Sequence, residues 1–163
     1  VLRPIMQAAR QQKRLEVDYV SIKNPDREGR IIVPHTLVFT GLRWHVRAWC
    51  EKNQAYRDFV LSRFRDIPEI MDESRHGVDE DEQWNTMVSI RIVPDPRLAR
   101  SQQEVIEVDY GMENGALEIA TRGKLVPYAL KLLHIDLEDP LKDPTAQQII
   151  VENRDEIRPW LFG

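Results

Sequence analysis

The apolar positions at the start of the chain recur with helical spacing. Leu2, Ile5, Met6 and Ala9 stand at i, i+3, i+4 and i+7, which puts them on one helix face. Pro4 suits a first helical turn, where its missing N–H leaves no bond unmade. A connecting helix is therefore expected over residues 1–14. The period then shortens to two. Leu15, Val17 and Tyr19 alternate with Glu16 and Asp18, the pattern of a half-buried strand. Turn formers follow at Asn24-Pro25-Asp26 and at Glu28-Gly29. Arg30 to Pro34 is a compact apolar run, and Leu37-Val38-Phe39 leads into a turn at Thr40-Gly41. Leu42 to Cys50 and Arg57 to Phe64 read as two more strands, joined by the polar turn Glu51-Lys52-Asn53-Gln54. Five short strands at this spacing predict a small antiparallel barrel or sandwich over residues 15–70.

From Asp66 to Thr86 the pattern fades into an acidic, weakly apolar stretch, with Asp72-Glu73 and Asp79-Glu80-Asp81-Glu82. Residues 71–86 are expected to be an acidic linker, a solvated connection with no specific partner. A second unit is expected over 87–163. Val88, Ile90 and Ile92 alternate in a strand stopped by Pro94. Ser101 to Met112 is helical in pattern, with Val105, Ile106 and Val108 or Asp109 near its buried side. Asn114-Gly115 is a turn and Ala116 to Ala120 a strand. Leu125, Tyr128, Ala129, Leu132 and Leu133 mark another helix, and Gln147 to Val151 a last strand. The order β-α-β-α-β predicts a small α+β sheet with helices on one face.

Charge changes the picture of the two units. The 163 residues carry 23 Lys+Arg and 27 Asp+Glu, a formal net of −4, which taken whole argues against nucleic acid. Residues 1–65 alone carry 13 Lys+Arg and 6 Asp+Glu, a net of +7, and the remainder a net of −11. A basic unit is thus joined to an acidic one. No apolar run approaches the roughly 18 residues of a membrane span. The single cysteine, Cys50, rules out an intrachain disulfide and a multi-cysteine zinc site. A reducing, cytoplasmic setting is expected. The chain opens at Val1 inside an amphipathic helix, which reads as a piece of a longer protein.

Strand alternation sorts the cations of the basic unit. Trp44, Val46 and Ala48 point one way, and Arg43, His45, Arg47 and Trp49 the other. The first set is expected to be buried and the second to form a cationic face with an aromatic beside it. Arg30, Arg57 and Arg63 add charge nearby, and Tyr19 and Ser21 share one face of their strand. The guanidinium fork matches phosphate, and hydroxyl and imidazole groups add hydrogen bonds. Any one of these arginines would more ordinarily pair with a surface acid. As a cluster they point to a phosphate-bearing ligand. His35, at a strand end, reads on spacing alone as a structural hydrogen-bonder, and Cys50 as a buried thiol. The histidines (His35, His45, His76, His134) lack metal-ligand spacing. No phosphate-binding glycine loop, nucleophile elbow or acid/base pair is visible, so neither enzymatic activity nor a metal or cofactor is expected.

Four separated segments resemble the WYL domain of bacterial transcriptional regulators. They are Asp18 to Ser21, Arg30-Ile-Ile-Val-Pro34-His35, Gly41 to Ala48, and Arg57-Asp-Phe59-Val-Leu61-Ser-Arg63. Trp44-His45-Val46 stands where the Trp-Tyr-Leu triplet gives that family its name, with only the Trp kept. The Pro-His before it and Arg-Asp-Phe-Val-Leu after it are similar to phage-defence-associated repressors of the BrxR and CapW type. Val105 to Met112 and Tyr128-Ala-Leu130 resemble the C-terminal extension (WCX) domain of such regulators.

The resemblance implies an Sm-like, SH3-type β-barrel that senses a ligand, followed by a small α+β extension. It implies a homodimer, a nucleic-acid or nucleotide effector, and a winged helix-turn-helix, absent from this chain, that reads operator DNA. It carries the ligand pocket onto Tyr19, Ser21, His35 and arginines among Arg30, Arg47, Arg57 and Arg63. Trp44, Val46, Phe59 and Leu61 are expected in the core. The expected function is the sensing and dimerising part of a repressor. A constitutive Sm-like nucleic-acid-binding module and a protein–protein interaction module are the alternatives.

Overall fold

The computed structural model describes residues 1–138 and 143–161, so residues 139–142 and 162–163 of the expected C-terminal domain lie outside the described residues. The chain divides into two units, Val1–Glu82 and Gln83–Gly163.

The first unit opens with helix α1 (Leu2–Gln11), which Gln12 ends in the left-handed conformation at φ 51°. Ile5 and Ala8 form its buried face, whereas Leu2 and Met6, expected inside, are exposed. Five strands follow: β1 (Lys13–Tyr19), β2 (Glu28–Phe39), β3 (Trp44–Cys50), β4 (Ala55–Val60) and β5 (Phe64–Glu73). All pair antiparallel in the order β4-β3-β2-β1-β5. The number of strands agrees with the sequence pattern, but their identities differ. The runs at 30–34 and 37–39 are one 12-residue strand, β2, whose pairing with β3 shifts register between Pro34 and Thr36. That bulge absorbs the break in periodicity that reads as a turn. The fifth strand, β5, lies mostly in the stretch from Asp66 where the apolar pattern fades, and its last three residues fall in the expected linker. It is an edge strand carrying Pro68 and several charged residues, with Ile67 exposed, and so has little apolar alternation to reveal it.

β4 and β5 lie at opposite ends of the sheet order, yet one turn of 3-10 helix (Leu61–Arg63) joins them. The Phe59 and Phe64 rings approach to 6.2 Å, and Tyr19 meets both edge-on at 5.1 and 5.2 Å. The sheet is thus rolled into a small barrel. Its inside is filled by Leu15, Val17, Ile32, Val46, Ala48, Cys50 and these rings, with Ile5 and Ala8 of α1 packed into the same cluster. Burial of such side chains contributes about 1.5–3 kcal/mol each before ordering costs. The Tyr19 hydroxyl accepts a hydrogen bond from the Val60 N–H at 2.9 Å, which satisfies an otherwise orphaned buried donor.

The second unit begins with a short helix, α2 (Glu82–Asn85), that spans the boundary. Then come β6 (Met87–Pro94), α3 (Arg100–Asp109), β7 (Leu117–Arg122), α4 (Val126–Leu132), β8 (Ile149–Val151) and α5 (Arg154–Ile157). The expected β-α-β-α-β order holds, and the three strands pair antiparallel as β7-β6-β8. Ile90, Ile92, Ile106, Val126, Leu130, Val151 and Ile157 make its core. Val105, Val108 and Leu132 are exposed rather than buried, so α3 and α4 turn narrower faces inward than their sequences imply.

Tyr19→Phe is expected to cost about 1–2 kcal/mol of stability, because the buried Val60 N–H loses its acceptor. Urea unfolding reads this as a lower midpoint at unchanged slope. An unchanged midpoint would show that the hydroxyl bond contributes nothing.

Candidate functional site

Pairing register fixes which side chains share a face, because residues directly opposite on neighbouring strands point the same way. Val46, Ala48 and Cys50 of β3 point into the barrel. His45, Arg47 and Trp49 therefore line its outer face, with Val60, Asp58 and Tyr56 opposite them on β4, and Val38, Thr36 and Val33 on β2. The bulge places His35 beside Thr36, where its Nδ1 lies 2.7 Å from the Thr36 hydroxyl. The cationic face foreseen on β3 exists, but it is not open to solvent. Arg47 is 0% exposed and His45 6%.

The cover is the acidic stretch itself. Residues 74–82 form a strap rather than a solvated connection. Its start is stapled to Gln12, whose carbonyl accepts the Ser74 N–H at 3.0 Å and whose Nε2 donates to the Ser74 carbonyl at 2.7 Å. His76 stacks on Trp49 with centroids 4.0 Å apart. The Tyr56 hydroxyl donates to the Gly77 carbonyl at 2.6 Å. One turn of 3-10 helix (Val78–Glu80) then delivers Asp81, 1% exposed, to the cations. Arg47 Nε and Nη2 donate to the two Asp81 oxygens at 2.7 and 3.0 Å. His35 Nε2 sits 2.9 Å from Asp81 Oδ2, and Arg47 Nη1 reaches Asp58 at 3.3 Å.

The electrostatics follow from burial and pairing. Burial works against the Asp81 carboxylate, but hydrogen bonds from His35 and Arg47, and their charge, outweigh it and hold its pKa down at about 2. Burial likewise opposes the charge on Arg47, and the bonds to Asp81 and the charge of Asp58 reverse that and raise its pKa. The Tyr56 phenol is pushed up to about 12 by burial and by Asp81 and Glu80. Burial lowers the pKa of His45, opposed by Asp58 and reinforced by Arg43 and Arg63. The result is a cradle of oriented donors gripping both oxygens of one anion, the arrangement a phosphate group also requires.

The residues expected to share one pocket are distributed differently. His35 and Arg47 come together. Tyr19 is inside the barrel, and Arg30, opposite Val17, lies over the Tyr19 ring at 5.7 Å with Glu28 at 3.3 Å. Arg57 is opposite Ala48, so it projects from the face opposite Arg47 and is exposed. The Ser21 hydroxyl accepts the Asn24 N–H at 3.0 Å in the turn after β1. Arg63, in the 3-10 turn, bears on His45 through its charge. Trp44, expected in the core, is 49% exposed at the hairpin tip, against the exposed Phe39 at 5.3 Å. Cys50 is buried, as expected. Sequence reasoning missed Asp81, Asp58 and Tyr56. Strand alternation could have found the last two, since they bracket Arg57 on β4. Nothing local singles out Asp81 from its acidic neighbours. Among the described residues, no group of three or more His, Cys, Asp or Glu is arranged to hold a metal ion, and no helix is long and apolar enough to cross a membrane.

The sign of the Asp81 shift gives a pH prediction. A carboxylate whose pKa is depressed by folding contributes stability above its unfolded pKa and loses it as pH falls through the folded one. A depression from 3.8 to about 2 is worth on the order of 2 kcal/mol. Asp81→Asn is therefore expected to be less stable than the parent at pH 7 by about that amount. The gap should narrow as pH falls from about 4 to about 2, as measured by chemical unfolding at each pH. A gap independent of pH would show that the ionised carboxylate is not what counts.

Comparison with known proteins matches each unit separately. Residues 1–68 match the WYL domain, and residues 87–157 the BrxR transcriptional regulator C-terminal dimerization domain. A DNA-binding transcriptional repressor CapW of Pseudomonas aeruginosa is 38% identical over 154 residues, covering 94% of this chain and 51% of that protein. A protein of the same name from Stenotrophomonas maltophilia is 38% identical over 161 residues, covering 96% and 52%. One from Escherichia coli is 36% identical over 162 residues, covering 96% and 52%. The chain thus spans about half the length of the curated relatives it matches. Among solved structures, proteasome accessory factor B/C of Arthrobacter aurescens aligns over 96% of this chain and 25% of its own, at 18% identity and a TM-score of 0.41.

Proposed function

The chain joins a WYL domain to a BrxR-type C-terminal dimerization domain, and we propose that it is the effector-sensing and dimerising portion of a CapW-like transcriptional repressor. In this reading the barrel binds a phosphate-bearing ligand, a nucleic acid or nucleotide, at the Arg47–His35 cradle. The second unit pairs two copies, and a winged helix-turn-helix elsewhere in the longer protein reads operator DNA. Ligand acts by favouring one of two dimer states for which it has unequal affinity.

The observation that carries this reading is the cradle itself. An arginine fork and an imidazole hold both oxygens of a carboxylate through three contacts of 2.7 to 3.0 Å. They do so where residues 1–65 carry 13 Lys+Arg against 6 Asp+Glu, although β5 and the strap bring the whole unit, Val1–Glu82, to 14 of each. Phosphate oxygens accept the same donors, and the fork fits them in the same bidentate way. The names of the relatives, DNA-binding transcriptional repressors, agree with a regulatory rather than a catalytic role.

Short single-stranded oligonucleotides and mononucleotides are to be titrated against the chain at low salt. Arg47→Lys, which keeps charge but loses the fork, is expected to weaken binding about tenfold. Arg57→Ala, on the opposite face, should change it less than twofold. Affinity should fall linearly with salt on a double-logarithmic plot. Binding indifferent to Arg47→Lys would exclude the cradle as the ligand site. Sedimentation of the same chain is expected to show a dimer, and a monomer at micromolar concentration would remove the dimerising role.

A further inference from the structure

We propose that Asp81 is a tethered stand-in for the ligand's phosphate, so that ligand enters the cradle by exchanging with it and releasing the strap. The proposal rests on the reading that the cradle is the ligand site, and it assigns that site its regulation.

Three observations support the exchange. First, the cradle is already full. Both bonding edges of Asp81 are taken by Arg47 and His35, and Asp81 is 1% exposed, so no second anion can reach these donors while the carboxylate stays. Second, that carboxylate is the strap's buried charged anchor. Of residues 74–82 only Gly77 and Asp81 are buried, and Val78 is 37% exposed. Other holds on the strap include a ring stack, a hydroxyl bond and the Gln12 staple at its start. With so little buried apolar area in the strap, exchanging its ion pair removes a large share of what orders it. Third, Asp81 lies two residues before Gln83, where the second unit begins. Its release lengthens the free chain between the sensing and dimerising units, which gives ligand a route to the dimer.

The tether also restricts the ligand. A short flexible tether holds its anion at an effective concentration in the millimolar range. A lone phosphate competes poorly against that. A ligand with several phosphates spreads its binding over further cations and wins, so an oligonucleotide displaces Asp81 where inorganic phosphate does not.

The test uses a 5′-phosphorylated, fluorescein-labelled oligothymidylate as probe, with inorganic phosphate as competitor. Asp81→Asn is expected to bind the probe at least tenfold more tightly than the parent chain. Tyr56→Phe keeps Asp81 and both cations but loses the bond to the strap, and should shift affinity the same way by less. Glu73→Gln removes the same charge outside the cradle and should change affinity less than twofold. Saturating probe should speed hydrogen exchange of the 75–81 amides in the parent chain. Equal or weaker binding by both Asp81→Asn and Tyr56→Phe overturns the exchange. If Arg47→Lys still weakens binding in that case, the cradle remains the ligand site. Absence of probe binding in every variant overturns the site together with the exchange.

Discussion

A buried guanidinium cannot shed its charge, and the outer face of this barrel is organised around that constraint. Arg47 is 0% exposed in the middle of β3. An arginine does not deprotonate at any accessible pH, so its burial is tolerable only if anions and acceptors meet it. Asp58 on the neighbouring strand supplies one and Asp81 of the strap the other. The bulge in β2 then adds His35 on the second side of the Asp81 carboxylate. Remove the strap, and the fork would lose both of its bonds to Asp81. The strap's path, the bulge and the choice of residue opposite Arg47 are therefore one solution to one electrostatic problem. Buried ion pairs of this kind contribute little net stability against an apolar replacement. Under the proposed exchange, they persist because the cations can change partners.

The inner face answers to a different rule. Tyr19, Phe59 and Phe64 fill the space between the two edge strands, Tyr19 meeting both phenylalanines edge-on, and the Tyr19 hydroxyl is used to satisfy a strand-end N–H. One layer of backbone thus separates an apolar interior, fixed by packing, from a polar exterior, fixed by charge. Arg47 and Ala48 are adjacent in sequence and belong to different problems.

Alternation made much of this legible. It separates the faces of β3 correctly from His45 to Cys50, and the helical and strand periods place the elements of the second unit in order. It fails where a strand end leaves the barrel, as at Trp44, since facing inward is not the same as being covered. It also fails where charge replaces apolar content, as along β5, and in the strap, where burial follows from a distant cation and not from local sequence. Distribution of the candidate ligands among inner face, outer face and turns depends on register. A one-residue shift moves a whole strand's side chains across the sheet, which explains why Arg57 and Arg47 separate.

The strap acts as a ruler. Six residues, 75–80, lie between the Gln12 staple at Ser74 and the carboxylate at Asp81. Adding or removing one residue alters the reach of an extended chain by about 3.3–3.6 Å. That exceeds the tolerance of a hydrogen bond by several fold. Four of these six residues, Arg75, Val78, Asp79 and Glu80, are exposed, while His76 and Gly77 are held by Trp49 and Gln12. Substitution at the exposed positions leaves the length of the segment unchanged, while an insertion or deletion within it would move the anion off its mark. Among descendants of this sequence, gaps should be rarer here than substitutions, the reverse of what a loose acidic connector would show.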